Sequence, residues 1–121
     1  MAGQSAQVRE SQADLARTRD SVAQQVVRAY DELLTTLAEY EAAETLLRAA
    51  NTSYDASLHS YQQGVGTYTE LATEENAVAD AERQIEDARA GAHTAAAGLA
   101  FAMGLNGVDQ TPDQRSAVSQ P

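Results

Sequence analysis

The stretch Tyr61-Gln62-Gln63-Gly64-Val65-Gly66-Thr67-Tyr68-Thr69-Glu70-Leu71 interrupts an otherwise continuous helical pattern. Gly64 and Gly66 carry no Cβ and accept the open or left-handed backbone that ends a helix. Thr67 and Glu70 stand in T-x-x-E spacing. In that arrangement hydroxyl and carboxylate satisfy each other's orphan amide donors and start a new helix. One helix therefore stops here and another begins within about three residues. A connection that short turns the chain back on itself. The expectation is a hairpin with its tip turn at 64–67.

Working outward, the first arm spans about 5–63 and contains neither proline nor glycine. Ala, Leu, Gln, Glu and Arg dominate it, and all are good helix formers. A helix of about 58 residues would run roughly 87 Å, a length that points to a coiled coil. Val26, Leu33, Tyr40, Leu47, Tyr54 and Tyr61 follow one another at intervals of seven. Tyr30, Leu37, Glu44, Asn51 and Leu58 complete an alternation of steps of four and three, so they are read as the companion row of the seam. Val27, Leu34, Ala43, Leu46 and Ala50 form a second apolar edge, which suits contact with more than one neighbour. Upstream of Val26 the main row becomes Arg19 and Gln12, so residues 5–25 read as more solvated.

The second arm, 68–103, repeats the rule. Leu71, Val78, Ile85, Ala92 and Leu99 are seven apart, with Glu74, Ala81, Ala88, Ala95 and Ala102 beside them. The alanines permit close backbone approach, and Gly91 and Gly98 are read as extending it at some cost in helix propensity. Folding at the turn pairs Tyr61 with Leu71, Tyr54 with Val78, Leu47 with Ile85, Tyr40 with Ala92 and Leu33 with Leu99. Gly104 and Asn106-Gly107 are read as the end of the helix. Residues 105–121, with Pro112 and Pro121, are read as a disordered tail after a hairpin of 1–104. The fold class is all-α: a long antiparallel coiled-coil hairpin, expected to assemble into a helical bundle.

Composition sets the bounds. The chain has 121 residues, 43% hydrophobic but only 5% aromatic, which suits a thin seam rather than a thick core. Two helices cannot hide an apolar face alone, so self-association is expected. Eighteen acidic residues against eight basic leave a net charge of −10. That balance excludes nucleic acid and anionic lipid as electrostatic partners. There is no cysteine for disulfides or thiolate metal sites. No apolar run is long enough to span a membrane, so no direct insertion by this segment is expected. Met1-Ala2-Gly3-Gln4-Ser5 lacks the apolar core of a signal peptide, and the sequence as it stands reads as one that would stay in the cytoplasm.

Several segments together resemble the TolC family of outer-membrane efflux proteins. They are Ala29-Tyr30-Asp31-Glu32-Leu33, the turn Tyr61-Gln62-Gln63-Gly64-Val65-Gly66-Thr67, the return start Glu70-Leu71-Ala72-Thr73-Glu74-Glu75, and Leu99-Ala100-Phe101-Ala102-Met103-Gly104. The likeness runs from about Gln7 to Gly104. The resemblance implies trimers in which each protomer gives strands to an outer-membrane barrel and helical hairpins to a periplasmic tunnel. It implies that the turn is the periplasmic tip, meeting an adaptor that links it to an inner-membrane pump. On that likeness Gly64, Val65, Gly66 and Thr67 match the adaptor-docking tip. Glu70 matches an acidic aperture residue, Thr73 stands where the family has a second acid, and Glu74 or Glu75 substitutes from the next positions. Barrel strands and a first repeat are missing from the pattern, so the expectation is the second-repeat hairpin of such a channel.

The chemistry of catalysis is not written here. His59 and His93 are isolated, and no Ser, His and Asp spacing suggests a triad. Neither an enzyme, a cofactor nor a metal is expected. Glu70, Glu74 and Glu75 equally suit a solvated first turn favoured by the helix dipole. Tyr40, Tyr54 and Tyr61 at heptad spacing read as seam packing with hydroxyls at the edge, together with Leu33, Leu47, Leu71, Val78, Ile85 and Leu99. The competing functional reading is a free-standing coiled-coil interaction module, or the hairpin of a periplasmic adaptor.

Overall fold

The computed structural model describes residues 2–109. They form two helices, α1 (Ala2–Gln62) and α2 (Tyr68–Asp109), joined by a tight turn, with no strand among the described residues. The chain is an all-α helical hairpin whose helices pack against each other. α1 starts earlier than the expected residue 5: Ala2 and Gln4 favour a helix, no proline intervenes, and Gly3 only weakens it. α2 continues past Gly104 to Asp109, which corrects the expected end and the expected tail at 105–109. A glycine costs a helix only about 1 kcal/mol relative to alanine, and no proline intervenes before Pro112. The rest of the expected tail lies outside the described residues.

The described chain divides into two compact units. The first comprises Leu34–Thr94 and holds the turn. Its seam on α2 consists of half-buried Leu71, Glu74 and Val78, then Ala81 at 1% exposed and Ile85 at 9%, then half-buried Ala88 and Ala92. On α1 Tyr40, Leu47 and Tyr54 of the main row are half-buried, whereas Tyr61 at its end is exposed. The companion row is not as read. Ala43 and Ala50 are buried, whereas Leu37 and Asn51 face solvent; Thr36 and Ser57 on one row and Glu44 and Leu58 on the other are all half-buried. Steps of three and four around one main row fit two phases, one on either side. The small row prevails because α2 presents its own alanines, and small side chains on both helices permit the closer approach. Leu34 and Leu46 of the second apolar edge are exposed, while Ala43 and Ala50 belong to the seam itself.

The second unit comprises residues 2–33 with 95–109. Val22, Val26, Ala29 and Leu33 on α1 are half-buried; on α2, Ala95 and Ala102 are buried and Leu99 half-buried. Tyr30, expected in the companion row, is exposed, with Ala29 taking the covered position. Residues 3–21 are exposed throughout. Val8 and Leu15 continue the row of Val22 and Ala29 at intervals of seven but have no cover.

A polar link crosses the helices in the turn-bearing unit. The Arg89 Nη2 group donates to the Tyr40 hydroxyl at 3.5 Å, and the guanidinium lies 5.9 Å from the ring centroid. Glu86 holds the other side of the guanidinium at 2.9 Å. The Tyr40 hydroxyl bond first, and the Glu86 charge second, raise the Arg89 pKa above its ordinary value. Arg83 pairs with Asp80 on the surface of α2, a contact of the kind that adds little to stability.

Candidate functional site

The turn is built from two interlocking caps. At the end of α1 the Val65 amide donates to the Ser60 carbonyl at 3.0 Å and the Gly64 amide to the Tyr61 carbonyl at 3.1 Å. These six-to-one and five-to-two bonds make a Schellman motif, which needs a left-handed residue at its penultimate position. Gly64 occupies it with φ of +78°, where a side chain is strained. The Gly66 amide also donates to the Ser60 carbonyl, at 3.0 Å. A Cβ on Gly66 would lie 3.0 Å from Ser60 Cβ and 3.2 Å from backbone atoms of Ser60 and Tyr61. Gly64 is thus required by backbone conformation, and Gly66 by close approach to the last turn of α1.

At the start of α2 the Glu70 amide donates to Thr67 Oγ1 at 3.1 Å, and the Thr67 amide donates to Glu70 Oε2 at 3.5 Å. This is the reciprocal capping box expected from the T-x-x-E spacing. The Leu71 amide then makes the first helical bond, to the Thr67 carbonyl at 3.2 Å. Thr67→Ala should remove the hydroxyl acceptor and cost about 1 kcal/mol, whereas Thr67→Ser should be close to neutral. Denaturant unfolding of the two variants checks the difference.

Between the caps the chain presents apolar groups to solvent. Val65 is 82% exposed and Tyr68 is 67% exposed. In a Schellman motif the residue at the Val65 position often packs back on the residue at the Ser60 position. Here that residue is a serine, and Val65 projects instead. Tyr61 leaves the seam, in contrast to its expected pairing with Leu71. It is 44% exposed and packs edge-on against Tyr68, with ring centroids 6.2 Å apart and planes at 62°. The Tyr61–Tyr68 pair was not foreseen; its signal is two tyrosines flanking a tight turn, the second directly after the cap.

The three residues matched to an aperture stand close together at the start of α2. Glu70 is exposed and bent back onto its own helix terminus. Thr73 is exposed, and its hydroxyl donates to the Thr69 carbonyl at 2.9 Å. Glu74 is half-buried at a seam position. Spacings of three and four put all three on neighbouring positions of one helix surface. Further along the helices, Ala42, Ala43, Leu46 and Ala88 line a shallow open groove rimmed by Glu39 and Asp87. Among the described residues no group of three His, Cys, Asp or Glu side chains could hold a metal ion.

A long all-α hairpin with a doubly capped, apolar-tipped turn fits one comparison. Residues 1–105 match the outer membrane efflux protein family. The chain belongs to that family. Outer membrane efflux proteins are a transport family, not an enzyme family. Neither a curated protein nor a solved structure matches the chain. Among the described residues of this efflux-family hairpin, no helix is long and apolar enough to cross a membrane.

Proposed function

We propose that the hairpin is part of a periplasmic efflux conduit, in which its turn docks a periplasmic adaptor and the start of α2 lines the tunnel aperture. The observation that carries this reading is the combination at the turn: a backbone held by two caps that nevertheless projects Val65 and Tyr68 into solvent. A rigid, exposed apolar knob is costly for an isolated chain and useful against a partner. Gly64, Val65, Gly66 and Thr67 form the docking tip. Glu70, Thr73 and Glu74 place one acid at the aperture and a second one step behind it. The parent assembles as a trimer in a tripartite pump that spans to the inner membrane. Exposed Leu34, Leu37 and Leu46 supply apolar area for neighbouring hairpins in the bundle.

Val65→Asp in a full-length efflux channel carrying this hairpin tests the tip. It puts a charge at the centre of the contact and leaves the caps intact. Export should fall at least about tenfold, the scale of about 1.4 kcal/mol lost at an interface anchor. A cysteine at the same position should form a disulfide with a cysteine in the adaptor hairpin. Undiminished export, with no crosslink, would shift the reading to a free-standing interaction module.

A further inference from the structure

The return helix contains glycines that the hairpin does not require. Gly91 and Gly98 stand two helical turns apart within α2, and a Cβ built on either meets nothing within 4 Å. The expected role in close helix approach is therefore absent. Gly91 is only half-buried and Gly98 is exposed. Neither has the left-handed backbone of Gly64. From Tyr68 to Ala90 the same helix has no glycine at all. Nor is the segment stiffened by large side chains: its covered positions from Ala88 to Ala95 are alanines and Gly91. Just before Gly91 stands Arg89, tied to Tyr40 on α1 and to Glu86 on its own helix.

We propose that residues 91–98 are a soft joint in the return helix, bounded on the side of the turn by the Arg89–Tyr40–Glu86 clamp. Each glycine raises the local opening equilibrium about fivefold over alanine, the equivalent of about 1 kcal/mol. Together they raise it about 25-fold over a segment with few side chains to resist bending. The clamp stops that opening from running back into the helix that starts at the turn. This inference rests on the hairpin itself and not on what docks at its tip.

Amide hydrogen exchange on the 121-residue chain tests the joint. After correction for intrinsic rates, amides of 92–99 should exchange at least about tenfold faster than those of 78–88. The double substitution Gly91→Ala with Gly98→Ala should slow 92–99 about 25-fold and leave 78–88 unchanged. Both alanines fit the open space, so the variant folds. Tyr40→Phe, which removes only the hydroxyl, should speed exchange at 86–90 about two- to fivefold. Equal exchange in the two segments of the unmodified chain would overturn the joint. So would fast exchange that persists in the double-alanine variant, since thin packing rather than glycine would then be its cause. No change at 86–90 in Tyr40→Phe would remove the clamp as its boundary.

Discussion

Ile85→Ala will destabilise the hairpin more than any other single truncation in the seam. Among the described residues the buried apolar ones are Ala43, Ala50, Ala81, Ile85, Ala95 and Ala102, and Ile85 is the one large side chain of that set. Truncating a buried isoleucine to alanine costs about 2–5 kcal/mol, from lost transfer energy and the cavity left behind. The lower half of that range applies here, because the seam is one layer thick and its edges can close on the gap. A loss of about 2–3 kcal/mol lowers the midpoint of thermal unfolding by roughly 10 °C or more. Leu37→Ala is the matched control, since Leu37 faces solvent and its truncation should stay within about 0.5 kcal/mol. Circular dichroism melts of both variants decide the matter. Equal small losses would mean that the seam is not where the hairpin derives its stability.

Gly66→Val is the second large effect, and it acts through the turn rather than the seam. The new Cβ meets Ser60 Cβ and the backbone of Ser60 and Tyr61 at 3.0–3.2 Å, and backbone cannot step aside as a flexible side chain can. Relief requires the chain to lift from the last turn of α1. That movement breaks the bond from the Gly66 amide to the Ser60 carbonyl. Overpacking of this kind costs about 1–3 kcal/mol. Helical content should be almost unchanged, because both helices retain their seam, while amide exchange at 64–67 accelerates. In a full-length channel the displaced tip should also weaken adaptor coupling and export. Gly64→Ala separates conformation from contact: its Cβ meets nothing, and its cost of about 1–2 kcal/mol comes only from the left-handed backbone. A Gly66→Val variant with an unaltered melt and unaltered exchange at the turn would contradict the described turn.

How much of this was legible in the sequence depends on how local each signal is. The hairpin and both caps were legible because Gly64, Thr67 and Glu70 act within a few residues of themselves. The seam rows of α2 were legible because no second apolar series competes with them. On α1 two series compete. Tyr30 and Leu37 are the more hydrophobic, yet Ala29, Thr36, Ala43, Ala50 and Ser57 take the covered positions. Hydrophobicity ranks single residues, whereas the outcome depends on the combined size of two facing rows, and that is a property of the pair. The contacts of Arg89 with Tyr40 and of Tyr61 with Tyr68 were missed for a related reason. Each partner had been paired by heptad arithmetic with a residue one turn away, Ala92 and Leu71. The extent of α2 past Gly104 shows that punctuation by glycine is decisive at a cap and weak within a helix.

The alanine seam also determines which mutations this hairpin can accept. Ala43, Ala50, Ala81, Ala95 and Ala102 leave almost nothing to trim, so nearly every substitution there adds volume between two helices already close together. Tolerance is therefore one-sided: serine and glycine are admitted at modest cost, and anything larger pries the helices apart. On the outward faces around Leu34, Leu37 and Leu46 the hairpin itself imposes no such limit, and restraint there comes only from whatever the hairpin touches. Sequence drift in such a chain would leave the small seam residues and Ile85 fixed and let the outward-facing leucines vary.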